Sequence, residues 1–324
     1  MNAAVTRRRA ALAGVAVAVV AAIAVIGVVS RSTSDTAVTT PAAAAATTGA
    51  SAPSALWYWT MAVAPSDPET LVLGTSSGLF RSTDGGKTWQ PTGPRNADMT
   101  SVVTAGTTML AGGVAATPTT SPVIRVGAAR SASNGAAVLA ASTDGGKTWT
   151  TVRPAGLPDV SVQAIAVDPA NRSTVYLLTN TGRFYRSTNG ARSFRLLSTR
   201  LGIPPWALAV TQNTHFLGGD MDSGPHQSPN GTAWQKTAFT DARGTHMVME
   251  YAVQPNDAAR ILMTSIGVVL STDGGRSWRP ALRSPVMFGP VAWASSTPET
   301  AYAVGFDGSV WRSGDAGATW ARVP

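Results

Sequence analysis

One octet recurs along the chain and constrains its fold more than any other feature. Ser82 to Trp89 reads S-T-D-G-G-K-T-W, Ser142 to Trp149 repeats it letter for letter, and Ser271 to Trp278 reads S-T-D-G-G-R-S-W. Ser313 to Trp320 (S-G-D-A-G-A-T-W) keeps the Ser, Asp315, the second Gly and the Trp. Ser187 to Phe194 (S-T-N-G-A-R-S-F) carries Asn189 and Phe194 where the others have Asp and Trp, and Ser228 to Trp234 (S-P-N-G-T-A-W), with Asn230, is one residue short. Start-to-start spacings are 60, 45, 41, 43 and 42 residues, so the unit is about 42 residues with one long member. A period of that size belongs to propellers and solenoids.

The pattern around each octet is β. In the third unit Ser161 to Val167 alternates, Asp168-Pro169 turns, and Thr174 to Thr179, Gly182 to Ser187 and Phe194 to Ser198 supply three more strands. Four short strands per unit, joined by Gly, Asn and Pro turns, make a propeller blade. Residues 57–324 hold six such units, which predicts an all-β, six-bladed β-propeller of four-stranded antiparallel blades. The last unit contains all four strands, so ring closure requires no borrowed strand. Each octet then reads as the turn between third and fourth strands. The carboxylates of Asp84, Asp144, Asp273 and Asp315 can accept backbone N–H groups, and the glycines take up positive φ. Trp89, Trp149, Trp234, Trp278 and Trp320 have rings to bury between neighbouring sheets.

These residues resemble the Asp-box, or bacterial neuraminidase repeat, S-x-D-x-G-x-x-W. The resemblance covers about 268 residues through six copies, four of them full matches. It implies a propeller whose box is structural, a device shared by sialidases, other glycoside hydrolases, sorting receptors and photosystem II assembly factors. D-P-E-T followed by L-V-L-G-T-S-S-G-L-F-R ahead of the first box is similar to sialidase-like and assembly-factor-like members alike. For a sialidase the resemblance implies an arginine triad, a Tyr-Glu nucleophilic pair and an acid Asp. Here no Arg lies between Arg31 and Arg81, Arg153-Pro154 does not reproduce the R-I-P motif, and adjacent Glu250 and Tyr251 face opposite sides of a strand. Another glycoside hydrolase needs only two well-placed carboxylates. The fold does not choose among these functions.

Ahead of the repeats, Arg7, Arg8 and Arg9 precede Ala10 to Val29, a run without a charged side chain. That run is long enough to cross a bilayer as a helix, with the arginines on the cytoplasmic side. Residues 1–30 are therefore expected to be an uncleaved signal anchor forming one transmembrane helix, with the propeller outside the cytoplasm. Secretion after signal cleavage is the alternative. Residues 31–56 are Ser, Thr, Ala and Pro with two charges, the composition of a disordered linker. The net charge of +8 shrinks once Arg7, Arg8, Arg9, Arg31 and Asp35 are set aside, leaving 21 bases against 16 acids with no groove-like basic cluster. A nucleic-acid partner is not expected. With no Cys there is no disulfide framework, thiolate metal site or thiol nucleophile. No phosphate loop or dinucleotide fingerprint is present, so no cofactor is expected, and the protein is expected to be a monomer.

Successive loops of an antiparallel meander fall on alternate faces. The octets share one face with the turns between first and second strands; loops between second and third strands and the connections between blades share the other. Of the 17 acids, Asp35 is in the linker, Asp84, Asp144, Asp273 and Asp315 are in octets, and Asp67, Glu69, Asp168, Asp257 and Glu299 are in or beside first-to-second-strand turns. Asp98, Asp159, Asp220, Asp222, Asp241, Glu250 and Asp307 remain, all assigned to the opposite face or to a strand leading from it. The densest stretch, 215–250, holds His215, His226 and His246 with Asp220, Asp222, Asp241, Arg243 and Glu250. His246 and Glu250 share strand parity, which predicts both pointing toward the channel. Asp222, Glu250 and His246 could serve proton transfer. A metal set of His226, His246, Asp220 and Asp222 lacks tight H-x-x-x-H spacing, so no metal is expected. The stretch also reads as polar filling of an irregular loop.

On the same face Trp57, Tyr58 and Trp59 open the first blade, and Trp206 opens the fourth after Pro204-Pro205; exposed Trp rings there could stack on sugars or peptides. The long spacing places an insertion of about 18 residues, roughly Val114 to Asn134, between the second and third strands of the second blade. It carries Arg125 and Arg130, and its Thr, Pro, Ser and Ala content predicts disorder. The reading is a binding or scaffold module for a glycan, peptide or protein partner outside the cytoplasm, with a glycoside hydrolase of sialidase-like fold as the alternative.

Overall fold

The computed structural model describes residues 50–115, 136–203, 206–211, 215–239, 244 and 246–324. The expected transmembrane helix, the linker up to residue 49, Pro204-Pro205, Asp241, Arg243 and residues 116–135 of the insertion lie outside the described residues. Among those described, no helix is long and apolar enough to cross a membrane.

Short runs of Leu, Val and small residues bounded by Gly turns give strands buried on both faces. Leu71–Thr75, for example, is buried at every position. The first sheet is β1 (Tyr58–Val63), β2 (Leu71–Thr75), β3 (Gly78–Ser82) and β4 (Gln90–Arg95). The second is β5 (Ala97–Ala105), β6 (Thr108–Ala115), β7 (Ala137–Ser142) and β8 (Thr150–Thr151). The third is β9 (Val162–Val167), β10 (Val175–Thr179), β11 (Phe184–Ser187) and β12 (Arg195–Ser198), close to the strands read from sequence. The fourth is β13 (Ala207–Val210), β14 (Phe216–Gly219), β15 (His226–Ser228) and β16 (Gln235–Lys236). Each is an antiparallel meander in chain order. Val114 pairs with Ala137, so the insertion leaves the second blade between its second and third strands, where the spacing put it.

The protein is thus an all-β propeller of four-stranded antiparallel blades, but only four of the expected six blades are separate sheets. The last two run together as one six-stranded sheet of β17 (Glu250–Gln254), β18 (Asp257–Ser271), β19 (Arg279–Trp293), β20 (Ala301–Gly305), β21 (Val310–Ser313) and β22 (Ala321–Arg322). The cause is continuity of backbone pairing. β18 pairs with β17 through Ile261 to Thr264 and with β19 through Ile266 to Leu270, while β19 turns to β20 from Phe288 onward. Inner strands neighbour one another in the order β1, β5, β9, β13, β17, β19 and back to β1.

Core packing lies between sheets. Ala62, Val72 and Leu79 meet Met99, Val102 and Met109 at the first-to-second seam, and Tyr176 and Phe184 meet Leu208 and Phe216 at the third-to-fourth. The octet aromatics enter these seams: Trp149 packs on the first of these clusters, Trp234 on the second, and Phe194 is itself buried in a cluster joining the second and third sheets. At the closing seam, Tyr302 O–H donates to Glu69 Oε1 at 3.2 Å and Arg312 lies 3.4 Å from the same oxygen. Burial, then the Glu69 charge, pushes the Tyr302 phenol up to about 12 despite Arg312. Residues expected to be linker also join this seam. Ala50 and Ala52 are buried, Ala50 N–H donates to Val323 O, and Ala52 N–H donates to Gly308 O. The final blade is complete, as expected, and this strap adds to it.

The octets share one turn about the Ser and the Asp or Asn, while the indole bond to the glycine carbonyl recurs at Trp89 and Trp320 but not at Trp234 or Trp278. In the second, Ser142 Oγ donates to Asp144 Oδ1 at 2.8 Å and accepts Gly146 N–H at 2.9 Å. Asp144 also accepts the Thr148 N–H and hydroxyl, and the Trp149 indole donates to Gly146 O at 3.0 Å. The Thr148 hydroxyl, then its N–H, holds the Asp144 carboxyl well below the usual range, and Thr319 acts likewise to bring Asp315 down to about 2. At Asp273 burial opposes ionisation, but the hydroxyl and N–H of Ser277 outweigh it and the value is about 2. Asp84 is lowered in the same way, with Thr88 outweighing burial. Asn189 and Asn230 use their side-chain oxygens for the same turn.

Candidate functional site

The face opposite the octets carries an aromatic cluster where the first blade begins. The β1–β2 register shifts between Tyr58 and Thr60, making Trp59 the extra residue of a β-bulge. Trp59, at this bulge, packs against Trp57, two residues before it in the chain. The two rings stack with centroids 5.3 Å apart and planes 11° from parallel. Phe306, from the turn between β20 and β21, meets Trp57 edge-on at 5.3 Å. Trp57 is fixed by its backbone: its N–H donates to Ser76 Oγ at 3.2 Å and its carbonyl accepts Ser76 N–H at 3.1 Å. Phe306 N–H donates to Met287 O at 2.9 Å. Gly289 permits the approach, since a Cβ there would lie 2.4 Å from Tyr58 O and 3.2 Å from the Phe306 ring.

Two carboxylates border the cluster and both are engaged. The Trp59 indole donates to Asp98, and Asp307 Oδ1 accepts the Ser309 N–H and hydroxyl at 3.0 and 2.6 Å. Trp57 and Phe306 are half-buried, and the neighbouring Leu56 is 63% exposed. Leu56 and Leu196 are the large hydrophobic residues left exposed among the described residues, and Leu56 directly precedes Trp57 of this aromatic cluster. Clustered apolar side chains kept at a surface mark contact sites.

The polar stretch 215–250 is arranged differently from its sequence reading. Asp220 is buried and closes its own turn: Oδ1 accepts the N–H groups of Asp222 and Ser223 and the Ser223 hydroxyl. Asp222 is exposed. His226, on β15, has Nδ1 2.9 Å from Gly224 O. His246 is not on the inner strand, because β17 begins at Glu250; it is exposed in the connection with Nδ1 2.5 Å from Phe239 O. Parity therefore does not join His246 to Glu250. Glu250 lines the central channel, where it is the one carboxylate among the described lining residues. That channel, about 180 Å³, is smaller than the few hundred Å³ usual for ligand pockets. Tyr251 points the other way, fully buried, its phenol pushed far up by burial and then by Asp220. Trp206 is half-buried, with its backbone N–H donating to Gly219 O. Among the described residues no three His, Asp or Glu side chains gather in a metal-binding group.

A family model described as BNR/Asp-box repeat matches residues 80–91 and 140–151, the first two octets with their flanking strands. The chain carries BNR/Asp-box repeats. Among solved structures, this Asp-box propeller is similar to YCF48 bound to D1 peptide, with 21% identity and a TM-score of 0.49 over 84% of this chain and 82% of that one. YCF48 from Cyanidioschyzon merolae is 17% identical, with a TM-score of 0.49 and 86% of each chain covered. A chain of a nidogen/laminin complex is 11% identical, with a TM-score of 0.52 over 75% of this chain and 88% of that one. Likeness at such identities concerns the fold. No curated protein matches the chain in sequence.

Of the expected contact residues, the Asp-box propeller brings Trp57 and Trp59 together, whereas Asp222 and His246 are exposed loop groups. Leu56 and Phe306 were not singled out from sequence. Phe306 had a signal: a large aromatic directly before Asp307-Gly308, at a turn where polar residues are the rule.

Proposed function

We propose that this Asp-box propeller is a binding module for a peptide or protein segment, contacted through the surface formed by Leu56, Trp57 and Phe306. The observation that carries the reading is the exposed Leu56 beside the Trp57–Trp59 stack. A sugar platform calls for an open ring face flanked by free polar groups. Here Trp57 is packed by Trp59 and Phe306, and Asp98 and Asp307 already accept hydrogen bonds. What stays accessible is aliphatic and aromatic, which suits the side chains of a protein partner. A glycosidase calls for two carboxyl groups in one opening, and Glu250 alone lines the channel among the described residues. The module acts as a monomer held outside the cytoplasm by residues 1–30; Arg7, Arg8, Arg9 and the uncharged run after them support that placement.

The test is selection of peptides from a displayed library on the full chain, followed by affinity measurement with Leu56→Asp and Trp57→Ala. Leu56→Asp, at an exposed position, should leave the unfolding midpoint unchanged and weaken selected peptides by about tenfold or more, the loss of a central apolar contact. Unchanged affinity in both variants would refute the surface. Turnover of chromogenic glycosides abolished by Glu250→Gln would replace the binding reading with the hydrolytic one.

A further inference from the structure

The octet face holds a second feature, independent of the aromatic surface. Between the first and second blades a cavity is lined by Arg81, Thr83, Thr88, Gln90, Thr92 and Lys147, with no carboxylate among its lining residues. Arg81 projects from β3 and its Nε donates to Gly145 O of the second octet at 2.8 Å, which fixes the guanidinium and leaves its terminal N–H groups for another partner. Lys147, in that octet, is exposed. Asp84 is nearby in sequence, but its oxygens are taken by Ser82 and Thr88. Among the described residues the ion pairs are Arg260 with Asp257 and Arg312 with Glu69, so neither Arg81 nor Lys147 is neutralised.

Comparison within the ring shows what is missing here. Arg312 occupies in the last blade the position of Arg81 in the first, since each directly precedes the octet serine. Arg312 is neutralised by Glu69, from the long turn joining β1 and β2 of the next blade. The corresponding turn of the second blade, between β5 and β6, is Gly106-Thr107 and supplies no acid. The first-to-second seam therefore repeats the cationic half of the closing seam without its carboxylate.

We infer that this seam binds a tetrahedral oxyanion, a phosphate or sulfate group, between Arg81 and Lys147. Arg81 supplies paired N–H donors in a fixed plane and Lys147 a mobile point charge, a combination suited to such groups. The hydroxyl of Thr83 and the amide of Gln90 are further donors. Thr88 and Thr92 are not, since their hydroxyls already donate to Asp84 and Gly146 O.

The experiment is calorimetric titration of the full chain with inorganic phosphate, inorganic sulfate and glycerol 3-phosphate, each against sodium chloride at equal ionic strength. Saturable binding with a Kd on the order of millimolar is expected. Arg81→Gln should weaken it by about tenfold and Lys147→Gln by several-fold, while Lys87→Gln, at the matching position of the first octet, should leave it unchanged. Tighter binding of the ester than of the free ions would identify an esterified ligand; the reverse would identify a free ion, and both support the site. Because Arg81→Gln also removes the bond to Gly145, exposed Lys147→Gln keeps the result interpretable. Oxyanions acting no differently from chloride, or equal losses in Lys147→Gln and Lys87→Gln, would overturn the inference.

Discussion

Gly146→Ala tests whether octets lock each blade to the one before. Gly146 has φ of 78°, a left-handed conformation, and a Cβ there would lie 2.4 Å from Val72 Cγ2 in the preceding sheet. Val72 is fully buried, so it has no free space to yield. The left-handed backbone costs an alanine about 1–2 kcal/mol, and forcing a methyl into a packed seam about 1–3 kcal/mol more. The reduced entropy of the unfolded chain offsets about 0.4–1 kcal/mol of this. Gly182→Ala is the control: φ is 79° but nothing lies within 4 Å of the added Cβ. Both variants carry the backbone and entropy effects; only Gly146→Ala carries the clash. Urea unfolding followed by tryptophan fluorescence should place Gly146→Ala below Gly182→Ala by about 1–3 kcal/mol at equal m-value. Equal stabilities would refute the claim that the octet is docked against Val72.

Two further predictions concern stability. Asp315 falls from an ordinary value of 3.8 to about 2 in the fold, so its contribution is complete above about pH 4 and is lost as pH drops through 2. Urea midpoints measured across that window should fall with pH, and Asp315→Asn should shrink the fall; an unaltered profile would contradict the assigned hydrogen bonds. Ala52→Pro removes the N–H that donates to Gly308 O and leaves that carbonyl unpaired, a cost of about 1–3 kcal/mol in the same assay. Ser54→Ala, at an exposed position beyond the strap, should be near neutral; equal effects of the two would refute a structural strap.

The fold was legible because its signals are local and repeated. A Ser, an Asp and a Gly within five residues satisfy one another, so the octet reports its turn without reference to the rest of the chain. The strands of the third blade followed from alternation for the same reason. Joining of the last two blades was not legible, because it depends on β18 and β19 continuing their pairing across Gly267 and Phe288, which no local pattern reports. The site was half legible. Trp57 and Trp59 stood out, but the contact of Trp57 with Phe306 joins the first blade to the last and needs ring closure. Polar density at 215–250 pointed elsewhere because composition does not separate a carboxylate facing a ligand from one closing its own turn. Asp220 accepts N–H groups two and three residues on, the ordinary use of an Asp in such a loop.

Equal positions in the repeat also hold unequal partners, and one deletion shows why. Arg81, Arg186 and Arg312 each precede an octet serine. Arg81 Nε reaches Gly145 O in the following blade, and Arg312 reaches Glu69. Arg186 packs over the Tyr176 ring at 5.9 Å, yet its Nε is buried without a hydrogen-bond partner among the described residues. The blade after it carries the short octet. There Gly231 N–H donates to Ser228 Oγ, the role that Gly146 N–H plays toward Ser142. Gly231 therefore stands for the second glycine, and the residue deleted is the counterpart of Gly145, whose carbonyl Arg186 would need. A buried donor of this kind costs about 1–3 kcal/mol, so restoring a glycine after Asn230 should stabilise the third-to-fourth seam, and Arg186→Met should lose that gain. A restored octet no more stable than the natural one in urea would show that the missing carbonyl is not what leaves Arg186 unpaired.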